Sequence, residues 1–241
     1  MSSRSSAKGT GPSSRPSGKT QICTSLSRRT CGELADDATL AFAEGTDLVE
    51  FRVDLLKDPN AAMDSGELSE FSPRAVFTMR SAKEGGGFGG EESDRLAFIR
   101  KLSLMRPAYL DIELSTLDSN PDLGADAHRG RVIVSWHDMA QTPAKGRLRS
   151  IMRRARGHRG LVKMVGTAAR PADNLSILSL YAEPGATPIA FCMGSAGLFS
   201  RVMAIQYCTP LVYASLPGRQ TAPGQLSLKS ALALRRRLQD D

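Results

Sequence analysis

Eight short runs of β-branched and apolar residues recur along this chain, separated by longer amphipathic stretches, and that alternation limits the fold more than any other feature. The runs fall at 21–26, 48–53, 75–79, 108–113, 131–136, 161–165, 188–192 and 211–215. Helical spacing of apolar residues occupies 32–44, 91–105, 144–156, 172–182, 196–206 and 227–238, while the segments after the second and fourth runs are short and weakly helical. Strands that alternate with helices pair in parallel through right-handed crossovers. Eight such units between residues 21 and 241 predict an α/β fold, a single (β/α)8 TIM barrel. No G-x-G-x-x-G follows the first run, so the main support for an open dinucleotide-binding sheet is missing.

Composition narrows the class further. At 41% apolar and 24% charged residues the 241-residue chain is globular, and no stretch approaches the ~18 consecutive apolar residues of a membrane-spanning helix. The net charge of +7 raises the question of nucleic acid, but four cations sit in residues 1–20 and seven more in 145–159, neither segment holding an acid. Those eleven exceed the total, so the remainder is mildly acidic. Residues 1–20 contain seven Ser, three Gly and two Pro and almost no apolar side chain, which predicts a disordered basic tail ahead of a catalytic domain at 21–241. Cys23, Cys31, Cys192 and Cys208 lie far apart with no C-x-x-C pair and no secretory signal. They read as reduced thiols in a cytoplasmic protein.

In such a barrel, catalytic groups sit at the carboxyl ends of the strands, and residues i and i+2 share a face. Glu50 and Arg52 share one face of the second strand, opposite Val49, Phe51 and Val53. Thr78 and Arg80 end the third, Asp111 and Glu113 share a face in the fourth, and Ser135 and His137 do so in the fifth. Lys163 lies inside the sixth between apolar neighbours. Two uses fit a lysine there. It can pair with an acid such as Asp111 or Glu50, or, once desolvated and neutral, attack a carbonyl to form a Schiff base. His137 stands where a general acid or base is expected, with no second ligand at zinc spacing. Glu84 can orient its ring from the glycine-rich loop at 83–90, which reads as a lid over the barrel mouth. The turn at 194–197 with Arg201 one helical turn on forms a generic anion pocket.

Taken in order, these residues resemble a known family. D-x-V-E-x-R-x-D (47–54), F-T-x-R-x-x-x-E-G-G-x-F-x-G (77–90), Y-L-D-I-E-L (109–114), V-S-W-H-D (134–138) and T-P (142–143) are similar to segments of the type I 3-dehydroquinate dehydratases. So are V-K-M-V (162–165), D-N-L (173–175), M-G-x-x-G-x-x-S-R (193–201) and A-P-G-Q (222–225). The resemblance implies a cytoplasmic, commonly dimeric barrel, without metal or organic cofactor, that converts 3-dehydroquinate to 3-dehydroshikimate in the shikimate route. It implies that Lys163 forms the imine, that His137 moves the protons and that Glu84 holds His137. It further implies that Glu50, Arg52 and Arg80 bind ring hydroxyls and that Arg201 and Gln225 bind the carboxylate. Thr221 stands where the family usually has Ser, Tyr207-Cys208-Thr209 replaces the usual F-G-S, and the tail and the basic helix at 145–159 have no counterpart.

Two rival readings remain at this point. A phosphosugar aldolase would use the same lysine and place phosphate at Arg201, but it leaves Glu50, Arg52 and Arg80 without work. A nucleic-acid-binding protein would use the basic segments, yet their cations are not interleaved with aromatics and no reading motif accompanies them, so no nucleic-acid or membrane partner is expected. Helix 144–156 carries cations on nearly every face and reads as solvated.

Overall fold

The computed structural model describes residues 18–126 and 131–239. The expected tail therefore lies outside the described residues except for 18–20. Thr20, assigned to the tail above, is buried: its N–H donates to Gln239 Oε1 at 3.0 Å and its hydroxyl accepts from Gln239 Nε2 at 2.7 Å.

The first half of the chain runs β1 (Gln21–Leu26), α1 (Cys31–Ala43), β2 (Leu48–Arg52), α2 (Ala61–Asp64), β3 (Ala75–Thr78), α3 (Glu92–Leu104), β4 (Tyr109–Glu113), α4 (Leu114–Ser119) and α5 (Asp122–Asp126). The second half adds β5 (Val132–His137), α6 (Lys145–Ala155), β6 (Leu161–Thr167), α7 (Asp173–Leu178), β7 (Ile189–Met193), α8 (Leu198–Gln206), β8 (Leu211–Ser215), β9 (Leu226–Ser227) and α9 (Leu228–Gln239). All strand pairs are parallel, in the order β7-β6-β5-β4-β3-β2-β1-β8-β9, which is the (β/α)8 order the alternation predicts. Among the described residues β7 and β8 share no ladder. That seam is covered by β9 beside β8, by the Gly194 N–H donating to the Pro223 carbonyl at 3.2 Å, and by the rings of Phe191 and Tyr213, 6.2 Å apart. Gly224 makes the seam possible: its φ is +74°, and a Cβ there would stand 2.2 Å from the Gly194 carbonyl oxygen.

Local chemistry explains where elements start. Thr30 and Glu33 cap α1 reciprocally, the Glu33 N–H donating to the Thr30 hydroxyl at 3.3 Å and the Thr30 N–H to Glu33 Oε2 at 3.1 Å. Buried Asn174, at the start of α7, donates to the Ala196 carbonyl at 2.7 Å and accepts from the Ser200 N–H at 3.2 Å. The D-N-L segment thus fastens the turn into α8. The helix expected over 172–182 tightens to a 3-10 turn after Leu178, and a 3-10 turn at Ser195–Gly197 precedes α8.

Strand alternation sorts the core. Val49, Phe51, Phe77, Ile112, Val134 and Met164 face the helices, whereas Cys23, Leu48, Val76, Ile133, Ile189 and Leu211 fill the barrel interior. No helix of the described residues is long and apolar enough to cross a membrane.

The reading of α6 needs correction. Its cations do not surround it, because Leu148, Ile151, Met152 and Ala155 form a buried stripe at helical spacing. Several cations are tied to neighbours: Arg149 pairs with Glu183, Arg154 with Asp118, and Arg156 donates to the Pro184 and Gly185 carbonyls. Leu148→Ala is expected to cost about 2–5 kcal/mol in denaturant unfolding, and replacement of exposed Arg153 by Ala no more than about 0.5 kcal/mol. Equal costs at the two positions would contradict the stripe.

Candidate active site

At the carboxyl ends of the strands, one cavity gathers nine of the side chains singled out from the sequence, Glu50, Arg52, Arg80, Glu84, His137, Lys163, Arg201, Thr221 and Gln225, while Thr78, Asp111, Glu113 and Ser135 are buried behind its lining. Ser25, Met139, Phe191, Met193 and Tyr213 also line it.

Parallel register does the gathering. Ser25 is level with Glu50 across β1 and β2, and Ser135 with Lys163 across β5 and β6, so neighbouring strands aim polar groups at one point. Lys163 is 4% exposed, and its Nζ donates to Asp111 Oδ2 at 2.9 Å. Glu50 Oε1 lies 3.8 Å from that nitrogen, which also stands 4.0 Å from the centre of the Tyr213 ring. The acid pairing considered from the sequence is present, therefore, inside a cavity a ligand can enter.

Asp111 anchors a buried network. Besides Lys163 it takes the Ser135 hydroxyl at 2.6 Å and Arg80 Nη2 at 2.9 Å. Burial alone would raise its pKa, but Arg80 and Lys163 outweigh that and hold the carboxyl well below the usual range. Arg80 also donates to Ser135 at 2.7 Å and Glu113 at 3.2 Å, and Arg95 backs Glu113 from outside at 2.9 Å. Burial opposes the Arg80 charge, yet Asp111 and Glu113 hold it firmly protonated. Glu50 accepts from the Thr78 hydroxyl at 2.8 Å and from Ser25. Arg52 grips Asp54 with two bonds of 2.8 and 2.7 Å, and Asp54 accepts the Gly87 N–H at 2.9 Å, tying the glycine-rich loop to β2.

That loop delivers Glu84. Its Oε2 accepts the His137 backbone N–H at 3.0 Å and lies 2.9 Å from His137 Nδ1. Burial pushes the Glu84 carboxyl up to about 7, with Arg80 opposing the rise. Burial, then Arg80 and Lys163, push the His137 imidazole well down, so it is neutral near pH 7. When Glu84 is ionised it accepts the Nδ1 proton, which leaves Nε2 free as a base.

Across the cavity Arg201 is buried and, among the described residues, forms no ion pair; its Nε has no hydrogen-bond partner. Its guanidinium lies 4.3 Å from the Phe191 ring centre, and burial lowers it to about 10. A buried cation without an acid is costly until an anion arrives. Gln225 has less freedom than its motif suggests: its amide donates to the Ala214 carbonyl at 3.0 Å, and its oxygen accepts from the Thr221 N–H at 2.9 Å and hydroxyl at 3.1 Å.

Sequence reasoning offered Asp111 only as an acid partner for Lys163, gave Ser135 no more than a shared face with His137, and assigned nothing to Ser25, Tyr213 or Phe191. The period-two rule could have found two of them once the inward face was known, since Ser25 lies two residues past interior Cys23 and Tyr213 two past interior Leu211. Among the described residues no three His, Cys, Asp or Glu side chains gather as metal ligands.

Comparison with known proteins agrees with this geometry. The family model for type I 3-dehydroquinase matches residues 22–240. The 3-dehydroquinate dehydratase of Methanothermobacter thermautotrophicus is 31% identical over 209 residues, covering 87% of this chain and 93% of that one. That of Pyrococcus abyssi is 35% identical over 190 residues, covering 78% and 85%. Among solved structures, 3-dehydroquinate dehydratase from Geobacillus kaustophilus superposes with a TM-score of 0.81 at 22% identity over 92% of each chain. The one from Aquifex aeolicus does so at 0.76 with 27% identity, over 91% of this chain and 99% of that one.

Proposed function

Because this chain belongs to the type I 3-dehydroquinase family and is an enzyme of that kind, acting on 3-dehydroquinate in the shikimate pathway, we propose that it works through a Schiff base on Lys163. One observation carries the reading: a buried lysine, a neutral imidazole held by Glu84 and a guanidinium with no ion pair among the described residues all open on one cavity.

The steps balance without an oxidant or a metal. His137 takes a proton from the Lys163 ammonium, the freed lone pair attacks the substrate ketone, and His137 returns the proton so that the carbonyl oxygen leaves as water and a protonated imine remains. The iminium is an electron sink that acidifies the adjacent C–H, so one modest base suffices to remove that proton. His137 Nε2 takes it, the C–H electrons form a C=C bond to the imine carbon, and the C=N π pair moves onto nitrogen to give an enamine. The enamine then expels the hydroxyl on the next carbon, which leaves as water with the proton His137 holds. Water adds to the conjugated iminium, releasing 3-dehydroshikimate and the amine. The net change is loss of one water.

Binding follows from the same charges. Arg201 takes the substrate carboxylate, which would pair a buried guanidinium that has no acid among the described residues. Glu50, Arg52 and Arg80 meet ring hydroxyls, while the Thr221–Gln225 turn closes over the carboxylate side. Asp111 and Glu50 hold the amine in line for attack. Within this reading the enzyme is a cytoplasmic homodimer, and its four free cysteines suit a reducing compartment.

Borohydride reduction tests the proposal. The protein incubated with 3-dehydroquinate and borohydride is expected to lose activity and gain one substrate-derived adduct, located at Lys163 by peptide mass spectrometry. An adduct on another residue, or none, would remove Lys163 as the nucleophile.

A further inference from the structure

Tyr213 is an inward side chain of β8, level with Cys23 on β1, and its ring forms part of the cavity wall. Phe191, from across the seam, packs against it. The Lys163 nitrogen stands over the face of the ring, 4.0 Å from its centre, a distance at which the negative π face attracts a cation. The phenol oxygen is buried and, among the described residues, has no hydrogen-bond partner. The surroundings are therefore built around the ring and not around the hydroxyl.

Resting on the Lys163 imine reading, we propose that the π face of Tyr213 is a further catalytic group, which stabilises the positive charge on the Lys163 nitrogen once the imine has formed. The reason lies in what happens to the donors on that nitrogen. An ammonium has three N–H bonds and aims one at Asp111, 2.9 Å away. A protonated imine keeps one N–H, and its planar nitrogen fixes the direction of that bond by the orientation of the bound substrate. The hydrogen bond within the Asp111 pairing, which depends on a donor, therefore weakens or turns away at the moment the catalytic cation is made. A ring face needs no donor, so its attraction stays with the charge. In a site where Lys163 is almost fully buried, such an interaction lies in the upper range for desolvated cation–π contacts.

The test changes the π face and leaves the shape. Phe, 4-fluoro-, 3,5-difluoro- and 3,4,5-trifluorophenylalanine are placed at position 213 by nonsense suppression in the full chain. The initial rate of borohydride inactivation is then measured with 3-dehydroquinate well below its KM, together with kcat/KM. Tyr213→Phe, with an unfolding midpoint no lower than the parent's, is the reference against which the fluorinated rings are read. Each added fluorine is expected to reduce both rates, reaching roughly tenfold at the trifluoro ring. Tyr213→Leu, if it folds, should fall at least as far. A flat series would overturn the proposal, as would a loss confined to the Tyr213→Phe step, which would assign the effect to the hydroxyl. Failure to trap Lys163 in the unsubstituted protein would instead overturn the imine itself, and a flat series with normal trapping leaves the imine standing.

Discussion

Lys163→Ala is expected to lower turnover of 3-dehydroquinate by at least about 10,000-fold, with no borohydride adduct at any substrate concentration. The loss is that large because the iminium is what makes the neighbouring C–H acidic, and without it His137 would face an ordinary ketone. The fold should survive, since Asp111 loses one partner and keeps two, Arg80 at 2.9 Å and Ser135 at 2.6 Å. Lys163→Arg is the sharper control. It retains a cation between Asp111 and Tyr213, yet a guanidinium stays protonated and is no nucleophile. Both variants should unfold cooperatively near the parent midpoint and both should be inactive. Activity within 100-fold of the parent in a folded Lys163→Arg protein would show that charge, and not imine formation, is what position 163 supplies.

Much of this site is legible before any coordinates because two rules combine. Side chains alternate along a strand, and parallel strands of a barrel open at one end. Glu50 with Arg52, Asp111 with Glu113 and Ser135 with His137 could thus be assigned to one face, and Lys163 stood out as an amine among apolar neighbours. The rules stop at partners. Nothing in the order of residues says that the Arg80 donors are taken up by Asp111, Glu113 and Ser135, because that depends on the stagger between β3, β4 and β5. Gln225 is a similar case: its amide fastens the turn to the Ala214 carbonyl, a bond set by how β9 lies beside β8. β9 itself, at two residues, is too short to leave an alternation. The stripe on α6 was hidden by its arginines, whose stems and charges surround Leu148 and Ile151 in the sequence but point away from them in space.

The buried charges fall into two kinds, and that division links fold to chemistry. Arg80, Arg95, Asp111 and Glu113 satisfy one another and form a rigid floor. Arg201, on the opposite side, has no anionic partner among the described residues, and Lys163 sits between, paired yet facing open space. A floor that is already satisfied has little to gain by collapsing onto the cavity, so the unpaired guanidinium stays available for a carboxylate. The overall charge of +7 says nothing of this; the arrangement of a few buried groups does.

His137→Ala is expected to slow turnover by about 100- to 10,000-fold and, unlike the lysine variants, to accumulate a trappable imine, since proton transfer fails after the C–N bond has formed. The pH profile of the parent enzyme tests the same assignment more finely. Because Glu84 is raised to about 7, it is largely protonated at pH 6 and largely ionised at pH 8. Its protonated form donates to Nδ1 and puts the imidazole proton on Nε2, the wrong place for a base. Its ionised form accepts from Nδ1 and frees Nε2. The imidazole itself is held neutral across this interval, because burial, Arg80 and Lys163 depress it. The kcat should therefore rise as pH increases through about 7, reporting Glu84 and not His137. Glu84→Gln decides between the two. The oxygen that faces the His137 backbone N–H can still accept from Nδ1 but no longer titrates, so the rise through about 7 should vanish while substantial activity remains at pH 6. A rise that persists unchanged in Glu84→Gln would return the titration to the imidazole and withdraw the positioning role of Glu84.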